Sequence, residues 1–108
     1  GNIAAAEARL RAANAREAVA LADFEQAVTR ARSQYLAAEA RVETLSTTSL
    51  PQADEALRLV RIGYRNGRFP LIEVLSAAEA RDGIREALIA AQQDRGQAAA
   101  ELIRLAAQ

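Results

Sequence analysis

Carboxylates and arginines are the side chains that could do chemistry in this sequence, because it contains no Cys, His, Met or Lys. Without thiolates or imidazoles, zinc sites, iron–sulfur clusters, disulfides and His-based triads are excluded. Glu39 with Glu43, and Asp82 with Glu86, have the helical spacing that could hold a hard cation. Arginines lie beside both pairs, so ordinary helix-surface ion pairing is the simpler interpretation. We therefore expect no metal, no cofactor and no enzymatic activity.

Four arginines, Arg58, Arg61, Arg65 and Arg68, cluster in the middle of the chain. They could dock phosphate or acidic groups, or they could compensate the negative C-terminal end of a helix, which is the interpretation we favour. Over the whole chain 14 basic residues balance 14 acidic ones. Since there is no net basic field, we expect no nucleic-acid partner.

The segments that carry these residues are predicted to be helices. Between Ile3 and Leu45 there is no Gly or Pro, and strong helix formers dominate. Apolar residues then alternate steps of three and four, the pattern of a coiled-coil seam. The seam residues are Leu21, Phe24, Val28, Ala31, Tyr35, Ala38, Val42 and Leu45. Aromatics make up only 4% of the chain, so the all-α fold must rest on thin helix-on-helix packing.

A first irregularity is expected near Pro51. The seam steps five residues from Leu45 to Leu50, which turns the apolar stripe by roughly 100°, and Ser49 with Gln52 has the spacing of a capping box. Residues 1–48 and 49–66 are therefore either one kinked helix, which we favour because the periodicity resumes at once, or two helices meeting at a short joint. The chain could also fold back at Pro51 into a compact three-helix bundle rather than stay extended.

A reversal is predicted at Asn66-Gly67. This dipeptide supplies the left-handed residue that ends a helix, and Pro70 suits the first turn of the next, with Glu73 near its positive end. We expect a tip turn over residues 67–70 and a returning helix over 71–107. The product is a long antiparallel helical hairpin, or coiled coil, with arms of roughly 95 Å and 55 Å.

Large apolar residues crowd this predicted bend. A hydrophobic staple between the helix ends accounts for Tyr64 and Leu71 but leaves Phe69 and Ile72 unexplained. A bound partner would bury them.

The bend resembles the periplasmic tip of TolC-type outer-membrane efflux channels. In that family a helix ends in Tyr-x-x-Gly, and the returning helix begins with a Val-Leu pair followed by a small residue; here these are Tyr64, Gly67, Val74, Leu75 and Ala77. The stretch 1–6 and the Leu-Pro-Gln-Ala step at 50–53 are similar to the CzcC-like branch, which serves heavy-metal resistance-nodulation-division pumps.

The resemblance implies a homotrimeric α-barrel in the periplasm whose tips dock a periplasmic adaptor (membrane fusion) protein. Through the adaptor it implies an indirect link to an inner-membrane pump and export of heavy-metal cations. The expected docking residues are Tyr64, Gly67, Arg68, Phe69, Leu71, Val74, Leu75 and Ala77, of which Arg68, Phe69 and Leu71 are included for their position in the bend.

The chain begins with Gly1, carries no readable signal peptide and has no apolar run long enough to span a bilayer. We therefore expect an internal piece of the periplasmic portion of an outer-membrane protein, with membrane contact only through other parts. The alternative is a stand-alone coiled-coil interaction or scaffold module with no transport role. An amphipathic helix on a membrane surface is disfavoured by the balanced charge.

Overall fold

The chain is helical almost from end to end. The computed structural model describes all residues from Gly1 to Gln108 and contains no β-strand. Its elements are α1 (Asn2–Thr44), a π-helical segment (Leu45–Ser49), α2 (Leu50–Arg65) and α3 (Leu71–Ala106). The predicted all-α fold is confirmed.

The molecule is an extended hairpin. Its principal extents are 95 × 21 × 14 Å and its radius of gyration is 26.0 Å. Residues 2–65 would span about 95 Å as one helical rod at about 1.5 Å per residue, so the first arm sets the length of the molecule. Of the two arrangements considered for this chain, the extended one is observed and the compact three-helix bundle is not.

Ion pairs between the two arms show their antiparallel register. Arg41 Nη2 lies 3.2 Å from Asp94 Oδ2, and Arg95 Nη1 lies 3.3 Å from Glu39 Oε2. Nearer the bend, Arg81 Nε lies 4.0 Å from an oxygen of Asp54 on α2. In all three pairs the two residue numbers add to nearly the same total, as expected when α3 runs back along the first arm without a change of register.

The core is a narrow seam built largely from alanine. Ala31 and Ala38 on α1, and Ala91 and Ala98 on α3, are buried and lie seven residues apart on their helices. Leu57 is the one large side chain that is fully buried. The predicted seam is confirmed from Val28 to Leu45, where each seam residue is buried or half-buried. Small residues at heptad spacing let the two helices approach closely here.

The first arm passes through its irregularity without a break. Thr44, Ser49 and Leu50 all have right-handed helical dihedral angles, and the Leu50 N–H donates to the Leu45 carbonyl five residues earlier. A π-helical turn takes up one residue more than an α-helical turn. The five-residue step from Leu45 to Leu50 therefore keeps the apolar stripe facing α3, and the alternative of two separate helices is not observed.

Hydroxyl groups and Pro51 explain where the wide turn lies. Ser46 Oγ donates to the Val42 carbonyl at 2.7 Å, and Thr47 Oγ1 donates to the Glu43 carbonyl at 2.6 Å. Pro51 has no N–H, and its ring would crowd the carbonyl four residues earlier in a regular α-helix. The predicted capping box at Ser49 is wrong: this residue lies inside the continuous helix and makes no side-chain cap hydrogen bond.

Candidate functional site

The reversal at the end of α2 is a Schellman turn, a hydrogen-bonded helix ending that contains a left-handed residue. Gly67 has φ +73°, and its N–H donates to the Tyr64 carbonyl at 3.0 Å. The Arg68 N–H donates to the Gly63 carbonyl at 2.7 Å. These are the two bonds that define the motif, and glycine adopts the left-handed conformation at the least cost. The predicted reversal at Asn66-Gly67 is confirmed.

Phe69 closes this turn by packing on Gly63. A Cβ atom placed on Gly63 would lie 2.1 Å from Phe69 Cδ2 and 2.4 Å from Cε2, so no larger residue fits beneath the ring in this position. The Phe69 N–H also points to the Gly63 carbonyl, at 3.3 Å. Phe69 therefore has a packing contact within the chain, which the staple between Tyr64 and Leu71 did not include, although the residue remains 41% exposed. Sequence reasoning missed Gly63, whose signal was a glycine inside a helix shortly before an aromatic residue.

The start of α3 turns its first apolar residues towards solvent. Pro70 is the N-cap, with φ −73° and ψ 158°, so α3 begins at Leu71, the first residue of the expected returning helix. Glu73 is the acidic residue of that first turn, as predicted. Leu71 and Ile72 follow the cap directly and are 51% and 64% exposed.

The predicted docking residues divide into an outward-facing and an inward-facing group. Gly67 and Arg68 are exposed, and so are the side chains of Tyr64, Phe69, Leu71 and Leu75. Val74 and Ala77 are half-buried, on the α3 row that continues into the buried seam. The bend thus brings the outward-facing group to one end of the rod, while Val74 and Ala77 pack on the inner side of α3.

The large apolar side chains at this end form what we call the apex patch. Seven of the 15 exposed large hydrophobic residues fall between positions 59 and 75. They are Leu59, Ile62, Tyr64, Phe69, Leu71, Ile72 and Leu75. Seven exposed large apolar residues within 17 positions favour an interaction site at this end, because such residues are spread more thinly over the rest of the chain.

Beside the apex patch lies a groove of about 380 Å³ that we call the arginine groove. Its lining residues are Asp54, Leu57, Arg58, Arg61, Ile62, Arg65 and Arg81. Of the four clustered arginines, Arg58, Arg61 and Arg65 line this groove, whereas Arg68 lies in the turn.

Only some of these arginines are paired within the chain. Arg58 makes a two-pronged contact with Glu55, through Nε at 2.8 Å and Nη2 at 2.6 Å. This hydrogen bond lowers the pKa of the Glu55 carboxyl below its usual value and raises the pKa of Arg58. No carboxylate lies within 4.0 Å of Arg61 or Arg65.

In each carboxylate pair considered as a cation site, one member is engaged by an arginine. Glu39 contacts Arg95 across the seam, and Asp82 contacts Arg81 at 3.4 Å. No group of three or more acidic side chains converges in a way that could hold a metal ion.

The other end of the rod is also exposed to solvent. Because α3 ends at Ala106, residues 2–26 have no antiparallel partner and every one of them is exposed; we call this segment the free arm. Ile3 and Leu10 are 77% and 62% exposed there. On α3, a Cβ atom on Gly83 or Gly96 would meet nothing within 4 Å, so neither glycine serves close helix approach within this chain.

No protein-family model, curated protein or solved structure matches this chain. None of its helices combines the length and the apolar character needed to cross a bilayer.

Proposed function

We propose that this chain is a periplasmic helical hairpin of a TolC-type outer-membrane efflux channel, with its apex as the docking surface for a periplasmic adaptor protein. The observation that carries the proposal is the apex patch, where seven large apolar side chains stay exposed at the end of a hairpin. The role is a non-enzymatic one: the hairpin forms part of a conduit wall and a contact point. Heavy-metal cations are the proposed cargo, on the strength of the sequence resemblance.

A rigid turn supports a docking role for the apex. The Schellman hydrogen bonds and the Phe69–Gly63 packing hold the bend in one conformation. A surface that is ordered before binding loses less conformational entropy when a partner arrives. A bend whose only task was to reverse the chain would need glycine and polar residues, and would gain nothing from exposing Leu71, Ile72 and Leu75.

The rest of the hairpin supports a place in a barrel wall. Its own seam buries small side chains, while Leu10, Val19 and Leu21 on the free arm remain more than half exposed. Neighbouring helices of a trimeric α-barrel would cover such residues, as helix faces bury their apolar stripes against one another.

Photo-cross-linking tests the docking role with a matched pair of positions. Ile72 at the apex and Ile89 in the middle of α3 are isoleucines on the same helix, 64% and 54% exposed. We would place benzoylphenylalanine at either position and irradiate the chain with the purified periplasmic adaptor of a heavy-metal resistance-nodulation-division pump. The proposal predicts an adaptor cross-link from Ile72 and none from Ile89. No cross-link from Ile72, or equal yields from both positions, would refute it.

A second candidate is a stand-alone coiled-coil interaction or scaffold module without a transport role. The exposed free arm favours it, because an isolated amphipathic helix gains stability by pairing. Under this alternative, chains shortened to residues 27–108 would lose self-association in sedimentation equilibrium, and no adaptor cross-link would form at Ile72.

A further inference from the structure

We infer that the arginine groove receives an acidic, amphipathic helical segment of the protein that docks at the apex. The inference rests on the proposed docking function and specifies the chemistry of the partner. It follows from the charge around the apex, the geometry of the groove and the incomplete pairing of its arginines.

Charge is unevenly distributed along this neutral chain. The stretch from Asp54 to Ala77 contains four arginines and three carboxylates, Asp54, Glu55 and Glu73, but the arginines all lie within positions 58–68, where there is no carboxylate. The hairpin therefore concentrates positive charge at the end that also carries the apex patch. Complementary charge on a partner would speed its approach and fix its orientation.

The groove has the dimensions of a helix-binding surface. Arg58, Arg61 and Arg65 follow one another at steps of three and four, so they lie along one face of α2 over about 10 Å. Arg81 lines the groove from α3. A partner helix with carboxylates at the same three-and-four spacing would present them in a row to these guanidinium groups.

The interior of the groove is partly apolar. Leu57 lies at its base with 1% exposure, and Ile62 is 39% exposed beside it. A helix that carries leucines between its carboxylates would cover the exposed part of Ile62, whereas a lone phosphate would leave it in water. This difference favours an acidic protein segment over a phosphate-bearing ligand.

Ion pairing within the chain leaves some arginines of the groove without a carboxylate partner. Arg61 and Arg65 have no carboxylate within 4.0 Å, whereas Arg58 is paired with Glu55 and Arg81 with Asp82 at 3.4 Å. Compensation of the α2 dipole accounts for Arg65, which lies in the last turn. It does not account for Arg81, which lies on α3 far from the C-terminal end of that helix.

A synthetic peptide tests the chemistry directly. The probe is a helical 18-residue peptide with glutamates and leucines at three-and-four spacing, and its control carries glutamine in place of glutamate. We expect the glutamate peptide to bind the full chain, more weakly as salt rises, and Arg61→Glu/Arg65→Glu to weaken binding at least tenfold. The matched variant Arg9→Glu/Arg16→Glu, which reverses two exposed arginines of the free arm, should change binding less than twofold.

Other outcomes would overturn the inference. Equal binding of the glutamate and glutamine peptides would show that charge does not select the partner. Binding of phosphatidylglycerol vesicles without binding of the peptide would assign the groove to a lipid surface instead. Circular dichroism of each variant checks that helicity is retained, so that a loss of binding reports on the groove.

Cross-linking separates this inference from the docking proposal. With benzoylphenylalanine at Ile72, the Arg61→Glu/Arg65→Glu background should lose at least nine-tenths of the adaptor cross-link. An unchanged yield would overturn the role of the groove and leave apex docking in place. No cross-link in the otherwise unaltered chain would refute apex docking itself, and the inference that rests on it.

Discussion

Replacing Gly63 by alanine should destabilise the hairpin only while Phe69 is present. The added methyl group would lie 2.1 Å from the ring, a distance that no packed structure tolerates, so the ring must move away from the turn. At an exposed position inside a helix the same change would be favourable, because alanine exceeds glycine in helix propensity by about 1 kcal/mol. The sign of the effect therefore reports on a single contact.

The magnitude follows from the burial of the ring. Phe69 is 41% exposed, so more than half of its side chain is removed from water in the native turn. A phenylalanine buries about 150–250 Å² when fully covered, and about 25 cal/mol per Å² gives about 2 to 4 kcal/mol for this fraction. After the gain in helix propensity and some residual contact of the displaced ring, we expect Gly63→Ala to cost about 1–2 kcal/mol.

A double-mutant cycle in urea, followed by circular dichroism at fixed protein concentration, provides the assay. In the Phe69→Ala background, Gly63→Ala should stabilise the chain by up to about 1 kcal/mol, because nothing then opposes the methyl group. Gly83→Ala and Gly96→Ala are the controls, since neither added methyl group meets an atom within 4 Å, and both should stabilise the chain. If Gly63→Ala is equally stabilising with and without the ring, the reasoning is refuted.

Three further predictions concern the seam, the turn and a surface pair. Leu57→Ala should cost about 2–3 kcal/mol in urea unfolding because this side chain is fully buried, whereas Leu59→Ala, at a half-exposed position, should cost less than about 0.5 kcal/mol. Gly67→Ala should cost about 1 kcal/mol, since φ is +73° there, and equal stability of the two chains would contradict the left-handed turn. The hydrogen bond from Arg58 lowers the pKa of Glu55 below its ordinary value of 4.5. The pair therefore stabilises the helix fully when the pH is above 4.5, and this contribution is lost as the pH falls through the lowered pKa. Thermal melting between pH 6 and 2 should show a small loss of stability that Glu55→Gln reduces, although the similar Glu101–Arg104 pair still contributes, and that salt also reduces. An unchanged pH profile in Glu55→Gln would contradict the prediction.

Periodicity and turn chemistry were sufficient to predict the two arms, the seam and the reversal. Each depends on local patterns: apolar steps of three and four for the seam from Val28 to Leu45, and Asn66-Gly67 for the bend. The five-residue step after Leu45 was also visible in the sequence. The backbone conformation at this step could not be predicted, because a kink, a break and a π-helical turn all accommodate one extra residue. The choice among them depends on packing against α3.

The details of the apex depended on contacts that no spacing rule contains. By spacing, Tyr64 is the next seam position after Leu57 and Val60, but Gly63 is the buried residue because the Phe69 ring covers it. Val74 and Ala77 are an exception, because their three-and-four spacing with Ile84, Leu88 and Ala91 already indicates the inner row of α3. The arginine groove likewise needs Arg81, which is 16 residues further along the chain than Arg65, and only the folded hairpin brings it alongside.

The central claim is that the chain doubles back at Asn66-Gly67 and presents its apex patch at one end of a rod. A direct test is the distance between nitroxide labels on Leu36→Cys and Ile103→Cys, measured by pulsed electron paramagnetic resonance in a chain that has no other cysteine. Dilution with unlabelled protein restricts the signal to pairs within one molecule. The hairpin predicts a distance of about 30 Å or less, whereas an unbroken helix through the bend would place the labels about 100 Å apart and would contradict the account.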